Sequence, residues 1–506
     1  MNSLQDFTCP NDGELTLCEV DGRIHSMNFE FANVNAFTNT IDRHPKIHIT
    51  RDMLHPVKTM DEGKALFLPV DVPFLKQLIQ VYYEQGMMEA IEMVSAHRQT
   101  VISASAKVLL QVINKLHKVR CIVNPRLLIK GESTITQFSQ TRNWSKSPIR
   151  CMAWHDTIPK IAVATSDDTV RIYQTDSTMV PILKCKQQKN VTCIAWRPMS
   201  NSDIAVACES GIIVWNVDPN SVVTRPSMNH AIILSRTDHN MILSISWSPR
   251  GDVLASVAAS DSKVLLWDVE LDRTSSLKRA GASGLSLLKW SPDGNKLFVG
   301  TTTCVFRVWE CNSWLADKWN ILAGYVQTAC WSKCGTYLLF TSNEEPIIYA
   351  LPFSNCDFVF KNEVKTTPNQ AMPLYDVSKV DIDGVIVGGI VQYMEWDTRG
   401  NHVAVLFKDT NCVAVFYVIA QPVLQLAPGF LVSGCPEEVP ITINFQPNFD
   451  HGSCLTIGWS SGRIQHFPIV YSDFCNTSTN IISQQQSYYD SFNLSNAVNS
   501  STYLIN

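Results

Sequence analysis

The chain has 506 residues, of which 45% are hydrophobic and 17% charged, with a formal net charge of −5. These values are typical of a globular protein with a large core, and they exclude the strongly basic surface of a DNA- or RNA-binding domain. No apolar run approaches the ~20 residues of a membrane helix, so we expect no membrane span. The N-terminus has no basic start and no apolar run, so we expect no signal peptide and a reducing compartment for the 16 cysteines. The cysteines contain no CxxC pair, and most are predicted to be buried thiols that pack as small apolar residues.

The first 140 residues are predicted to form an N-terminal region with strands and a helical unit. Apolar residues recur at helical spacing over about 71–120, in a unit that either packs on the rest of the chain or recruits a partner. Glu14–Val20 and Ser133–Ser139 (STITQFS) both read as strands. Propellers of this type often close by pairing an N-terminal strand with the last three strands of the chain, which removes exposed sheet edges. Both segments can serve, and Ser133–Ser139 is favoured because it directly precedes the repeats.

Residues 141–470 repeat a pattern of short apolar strands, and Leu243–Val269 is its clearest copy. Its first strand ends in Trp247 and is followed by a Ser-Pro-Arg-Gly turn, a second strand and a tight turn at Asp261. Its third strand ends in Trp267-Asp268, the dipeptide that marks WD repeats. One such unit cannot bury its own faces, so further copies are required.

Seven copies are found. The first strand of each ends in an aromatic residue, namely Trp154, Trp196, Trp247, Trp290, Trp331, Trp396 and Phe445. The predicted third strands are Val170–Tyr173, Ile212–Trp215, Val264–Trp267, Val305–Trp309, Pro346–Tyr349, Cys412–Tyr417 and Arg463–Phe467. The sequence therefore predicts an all-β fold, a seven-bladed WD40 β-propeller over 141–470. Residues 471–506 are rich in Ser, Asn and Gln and predict a disordered tail.

The conspicuous residues of the repeats are predicted to be structural. They are Trp154, Asp168, Trp196, Trp247, Asp261, Trp267, Asp268, Trp290, Trp309, Trp331 and Trp396. Asp168 and Asp261 fall in turns between second and third strands, where a short carboxylate can accept bonds from the turn's own amides. The alternatives are a catalytic carboxylate for these two and an aromatic recognition cage for the tryptophans.

No motif for chemistry accompanies the repeats. We find no phosphate loop, HExxH, GxSxG or spaced Cys/His set. His44, His48 and His55 lack the spacing of a zinc site, and Asp381-Ile-Asp-Gly lacks the later Glu of a calcium loop. We therefore expect no enzymatic activity, no cofactor and no metal, and a docking surface for proteins.

Several stretches, taken in order, resemble one family. They are Thr141-Arg-Asn-Trp-Ser145, the segment from Ala162 to Ser227, LLKWSPDG, VFRVWE and IGWSSGRIQHFPI. Together they resemble the aladin family of WD-repeat nucleoporins. The resemblance covers the whole repeat region and reaches weakly to GELTLCEVDG near the N-terminus. The tail departs from it, because vertebrate members end in a Pro-rich segment.

The resemblance implies a non-catalytic scaffold of the nuclear pore complex, on its cytoplasmic side. A transmembrane nucleoporin of the pore membrane would hold it, and it would support nuclear import and have a link to the spindle poles in mitosis. One alternative is a WD40 substrate adaptor of a ubiquitin ligase or another cytosolic assembly. Such an adaptor would carry a helical adaptor-binding motif, and 71–120 shows no such signature. A propeller enzyme, with polar residues converging on one face, is a third reading.

Overall fold

The computed structural model describes residues 3–54 except 12, 34–40 and 42–43, scattered positions between 73 and 111, and residues 131–471 except 176, 178, 219–223, 237, 279–282, 354–369, 383 and 421–422. The chain divides into two compact units. The larger unit comprises Met1–Leu54 and Ile135–Asn506, and the smaller one comprises His55–Thr134. In the described part of the chain, no helix is long and apolar enough to span a membrane.

Six antiparallel sheets of the larger unit each consist of four consecutive strands. Blade 1 contains β3 (Ile149–Trp154), β4 (Lys160–Thr165), β5 (Val170–Gln174) and β6 (Ile182–Leu183); blade 2 contains β7 (Cys193–Trp196), β8 (Asp203–Cys208), β9 (Gly211–Asn216) and β10 (Ala231–Leu234); blade 3 contains β11 (Ile242–Trp247), β12 (Leu254–Ala258), β13 (Lys263–Asp268) and β14 (Arg273–Lys278). Blade 4 contains β15 (Leu285–Trp290), β16 (Lys296–Thr301), β17 (Val305–Glu310) and β18 (Leu315–Asn320); blade 5 contains β19 (Val326–Trp331), β20 (Tyr337–Ser342), β21 (Ile347–Pro352) and β22 (Met372–Asp376); blade 6 contains β25 (Val391–Trp396), β26 (His402–Phe407), β27 (Cys412–Ile419) and β28 (Gln425–Ser433).

The seventh blade joins the two ends of the propeller chain. It combines β29 (Pro440–Phe445), β30 (Gly452–Trp459) and β31 (Ile464–Val470) with β1 (Glu14–Val20) and β2 (Arg23–Asn28). The strand order is β2-β1-β31-β30-β29, and β1 runs parallel to β31. A small hairpin of β23 (Val380–Ile382) and β24 (Val385–Val387) precedes blade 6.

The first strands of the seven blades contact one another in sequence, and β29 returns to β3. The ring is therefore closed, and the predicted seven-bladed propeller is confirmed. All seven predicted aromatic residues end a first strand, and all seven predicted third strands are present.

The preferred closing strand was wrong. Ser133–Ser139 lies almost entirely in helix α1 (Gly131–Phe138), and Glu14–Val20 closes the propeller instead. The short STITQFS stretch alternates, but it also places Ile135 and Phe138 three positions apart, the spacing of one helix face. The amide of Ser139 accordingly bonds to the carbonyl of Ile135. In β1, by contrast, six consecutive residues are buried, as expected for a strand flanked on both edges.

The predictions outside the propeller concern residues that are only partly described. Between 73 and 111, the described positions other than Pro73 are helical, in keeping with a helical unit. The remaining positions of 71–120, and the predicted disordered tail from 472 onwards, lie outside the described residues.

The closing strand predicts a strong effect of a mutation far from the repeats. Leu17 is 5% exposed and packs with Leu15 and Met27. We expect Leu17→Ala to lower the free energy of unfolding by about 2–4 kcal/mol, measured by denaturant unfolding. Arg23→Ala, at an exposed position of β2, is the control and should change it by less than about 0.5 kcal/mol. Equal stability of the two variants would contradict closure by β1.

Candidate functional site

The tryptophans that end the first strands link neighbouring blades. Four of them donate the indole N–H to a backbone carbonyl of the preceding blade. The Nε1 to O distances are 3.1 Å from Trp196 to Ala153, 3.3 Å from Trp247 to Ala195, 3.2 Å from Trp290 to Ser246 and 3.1 Å from Trp331 to Lys289. Each acceptor immediately precedes the strand-end aromatic of its own blade. The repeat therefore produces an unbroken series of equivalent links from blade 1 to blade 5.

The other three positions differ. Trp154 Nε1 donates to Thr456 Oγ1 of blade 7 at 3.0 Å. Trp396 Nε1 is buried and has no hydrogen-bond partner among the described residues. The side chain of Phe445 has no N–H group and cannot donate a hydrogen bond. In the part of the chain that the structure describes, the indole–carbonyl link is thus absent between blades 5 and 6, between blades 6 and 7, and between blades 7 and 1. The N-terminal strand β1 closes the ring in blade 7.

Blade 3 contains a complete polar network around its Trp-Asp dipeptide. Trp267 Nε1 donates to Ser256 Oγ at 2.8 Å, and Ser256 Oγ lies 2.9 Å from His239 Nε2. His239 Nδ1 lies 3.4 Å from Asp261 Oδ2. The other carboxylate oxygen of Asp261, Oδ1, accepts a hydrogen bond from the backbone N–H of Lys263 at 3.1 Å. Burial lowers the pKa of His239, and Asp261 partly opposes this shift. A neutral imidazole can then accept from Ser256 while donating to Asp261.

A related network joins blades 7 and 1 to the N-terminal segment. Thr456 Oγ1, which accepts from Trp154, lies 3.1 Å from His466 Nδ1, and His466 Nε2 lies 3.1 Å from the carbonyl oxygen of Ile47. Of the two neutral tautomers, only the one with the proton on Nε2 satisfies all three bonds, because Nδ1 then accepts from Thr456. Burial lowers the pKa of His466 to about 3, and the neighbouring His44 adds to this shift, so the imidazole is neutral at pH 7.

Asp168 belongs to a cluster at the entry to the propeller. It adopts a left-handed backbone with φ +59°, and its Oδ1 accepts from Arg150 Nη1 and from the amide of Val191, both at 3.1 Å. The guanidinium of Arg150 lies 3.9 Å from the ring centroid of Trp144. Trp144 is fully buried and donates to the carbonyl of Val191 at 3.2 Å. The carboxylate of Asp168 is therefore engaged in holding blades 1 and 2 together.

The end of α1 covers the central channel. Gln327 and Gln392, on two neighbouring blades, both donate to the carbonyl of Ser139, at 3.1 and 2.7 Å. Tyr325 OH donates to the carbonyl of Gln137 at 2.8 Å. Behind these contacts lies a cavity of about 150 Å³ lined by Ile135, by Phe138–Thr141 and by first strands of six blades. The segment before blade 1 thus acts as a plug.

The channel contains charged side chains of blades 4 and 6. Lys289 Nζ lies 5.7 Å from the ring centroid of Tyr393. Burial raises the pKa of Glu395 to about 8, and the charge of Lys289 opposes this shift. Among the residues that the structure describes, Glu395 Oε2 has no hydrogen-bond partner, and no group of His, Cys, Asp and Glu could hold a metal ion. A space of this size and polarity suits ordered water.

The two remaining predicted residues also lie within blades. Asp268 Oδ1 accepts the amide of Leu271 at 3.0 Å, which stabilises the turn between β13 and β14. Trp309 is 8% exposed and packs in a cluster with Leu297. The eleven predicted residues are distributed over six blades and do not converge on one site. Their structural role stays a prediction, which the contacts above support.

Comparison with known proteins decides the family. The sequence model of a family described as the Aladin seven-bladed propeller matches residues 130–470, more than half of the chain. The chain belongs to the aladin family.

Individual relatives differ in how much they share with this aladin-family chain. Aladin from Arabidopsis thaliana is 26% identical over 356 residues, which cover 65% of this chain and 77% of that protein. WD repeat-containing protein 19 from Mus musculus is 27% identical over 142 residues, which cover 28% of this chain and 10% of that protein. A solved β-propeller domain of Cps50 (Swd1) from Myceliophteria thermophila aligns at 15% identity with a TM-score of 0.49, over 63% of this chain and 96% of that chain.

Sequence reasoning missed the partners of the recognised aromatic residues in this aladin-family propeller. These partners are Ser256, His239, Thr456, His466 and Arg150. WD repeats often carry a Gly-His pair ahead of the Trp-Asp dipeptide. In blade 3 that place is taken by Asp238-His239, so the histidine could have been found by its position before Trp267, although the glycine is missing.

The indole–carbonyl links predict a difference between two matched substitutions. Trp290→Phe keeps an aromatic ring but removes the donor to the part-buried carbonyl of Ser246, so we expect a loss of about 0.5–1.5 kcal/mol in the free energy of unfolding. Trp396→Phe is the control, since its N–H makes no hydrogen bond among the described residues. Chemical denaturation of both variants tests this. A larger loss for Trp396→Phe would show that the bond itself contributes little.

The buried histidine network predicts acid sensitivity. Below pH 6.5 the unfolded chain protonates His466, whereas the folded chain, with a pKa of about 3, does not. Stability therefore falls as the pH falls from 7, by about 1–2 kcal/mol at pH 5 from this group alone. We expect His466→Gln to flatten the dependence of unfolding free energy on pH between 7 and 5. An unchanged slope would contradict the lowered pKa of His466 in the folded state.

Proposed function

We propose that this chain is a non-catalytic docking subunit of the nuclear pore complex, on the cytoplasmic side of the nuclear envelope. In this proposal a transmembrane nucleoporin of the pore membrane holds it in place, and it supports protein import into the nucleus. The observation that carries the proposal is the family match, which spans residues 130–470 and so every strand of the blades except β1 and β2.

The chemistry of the blades supports docking over catalysis. The carboxylates of Asp168 and Asp261 are occupied by Arg150 and by His239 and backbone amides. Polar side chains in the repeats thus serve the connections between strands. A rigid ring with turns on both sides is a suitable platform for protein partners.

The proposal includes a second location in dividing cells, at the spindle poles. It rests on family membership alone. Imaging the same tagged protein through mitosis tests it, since a signal that stays diffuse in mitosis would remove this part and leave the interphase role intact.

The localisation of the tagged full-length protein tests the main proposal. We expect a rim at the nuclear envelope in interphase cells. A chain ending at Val470 keeps every described strand and should keep the rim if the tail is dispensable. Diffuse cytoplasmic staining of a full-length protein that is folded, as judged by its unfolding transition, would contradict a role at the pore.

We expect substitution of a core tryptophan to change the localisation of the protein only because the variant unfolds. Trp267 is 3% exposed and anchors the blade 3 network. We expect Trp267→Ala to cost about 3–5 kcal/mol and to abolish the rim together with the folded state. A Trp267→Ala protein with wild-type thermal stability that left the rim would show that this residue contacts a partner.

A further inference from the structure

On one side of the ring, the turns of blades 2–4 present exposed apolar side chains together with acidic ones. Adjacent strands in a blade are antiparallel, so the turn after its first strand and the turn after its third strand lie on the same side of the ring. We call the surface formed by turns 197–202, 248–253, 269–272, 291–295 and 311–314, with the strand ends that border them, the lower surface.

Four large apolar side chains of the lower surface are exposed to solvent. The exposed fractions are 87% for Met199, 61% for Leu271, 38% for Trp314 and 70% for Leu315. Each lies in a turn or at the start of an outer strand, and the topology places all four on the same side of the ring. Exposed apolar side chains that form a patch mark interaction sites, whereas scattered single ones do not.

The backbone conformation of two of these residues disfavours a large side chain. Met199 and Trp314 both adopt left-handed conformations, with φ of +62° and +51°. Gly or Asn occupies such positions at lower cost than a bulky side chain. Strained residues of this kind are found at ligand and partner sites, so the positive φ at Met199 and Trp314 favours a role for their side chains.

The turns of the lower surface are fixed against one another. Arg197 Nη2 lies 2.5 Å from Glu270 Oε1, and Arg197 Nε donates to the carbonyl of Gly251 at 2.7 Å. Trp314 packs against Trp290, with ring centroids 6.5 Å apart. These contacts tie turns of blades 2 and 3 together and hold Trp314 against its blade. The apolar side chains are thus presented on a preorganised surface, which lowers the entropic cost of binding.

The charge of the lower surface specifies the partner. With Glu270 paired to Arg197, its other exposed acidic residues outnumber its exposed basic residues by four to two. They are Asp252, Asp272, Asp293 and Glu310 against Arg250 and Arg273. Leu271 itself stands between Glu270 and Asp272. A surface of this sign is repelled by anionic lipid headgroups and attracts basic protein segments.

We propose that the lower surface docks a protein segment that presents aliphatic side chains flanked by lysines or arginines. Burial of Leu271, Trp314 and Leu315 supplies the affinity, and the acidic residues orient the segment. This names the face and the partner chemistry for the docking role proposed above, and it rests on that proposal only for the existence of a protein partner.

Peptide titration of the purified full-length chain tests this inference. Two synthetic amphipathic peptides share leucines at i, i+3, i+4 and i+7, and they carry lysine or glutamate elsewhere. We expect saturable binding of the lysine peptide, weakened by salt, and no binding of the glutamate peptide. The double variant Leu271→Ser/Leu315→Ser should weaken binding by at least about tenfold, and Asp272→Asn should weaken it to a smaller extent.

Leu322→Ser is the matched control, since Leu322 is 90% exposed but lies between β18 and β19, on the opposite side of the ring. It should bind like the wild type. Equal affinity of the double variant and the wild type, or an equal loss in Leu322→Ser, would overturn the assignment of the surface. Tighter binding of the wild-type chain to phosphatidylcholine–phosphatidylserine vesicles than to the peptide, lost in the double variant, would replace the protein segment by a lipid surface and overturn the proposal.

The two proposals fail separately. If the wild-type protein forms a rim at the nuclear envelope but the lysine peptide does not bind, the inference about the lower surface fails and the role at the pore stands. If the peptide binds as expected but no rim forms, the role at the pore fails and the docking surface stands. A rim lost in the double variant and kept in Leu322→Ser would support both.

Discussion

The indole N–H that crosses from one blade to the next is the interaction on which the geometry of the propeller depends. Apolar packing between blades supplies more free energy, but it is non-directional. The bonds from Trp196, Trp247, Trp290 and Trp331 end on carbonyls at the same repeat position. They satisfy part-buried carbonyl acceptors and set the register of blades 1 to 5 against one another. Each contributes only about 1 kcal/mol, so their importance is geometric.

Closure of the ring places a second constraint on the chain. The seventh blade has only three consecutive strands and needs β1, which comes from the opposite end of the sequence. Closure removes an exposed sheet edge that could pair with other chains. It also makes the fold depend on a contact across more than four hundred residues, between Val20 and Val470. The histidine network at Ile47 adds a further bond from the N-terminal segment to this blade.

The features that recur in every repeat could be predicted from the sequence, whereas the features that depend on a single contact could not. The strand-end aromatic residues and third strands recur, so their positions followed from alignment alone. STITQFS was assigned wrongly because seven residues cannot separate strand alternation from helical spacing. The acceptors of the four indoles that link blades 1 to 5 are backbone atoms, which leave no mark on the sequence. The lower surface was also out of reach, since the exposure of Met199 and Trp314 follows from turn conformations that those residues rarely adopt.

Hydrogen exchange of the indole protons tests the central claim most directly. If the bonds between blades belong to one cooperative unit, the Nε1 protons of Trp196, Trp247, Trp290 and Trp331 should exchange only through global unfolding, at a common slow rate. Resolved NMR signals of the indole N–H groups in the full-length protein would give the exchange rate of each tryptophan separately. Four unequal rates, well above the rate of global unfolding, would mean that the blades open independently and that these bonds do not hold the ring together.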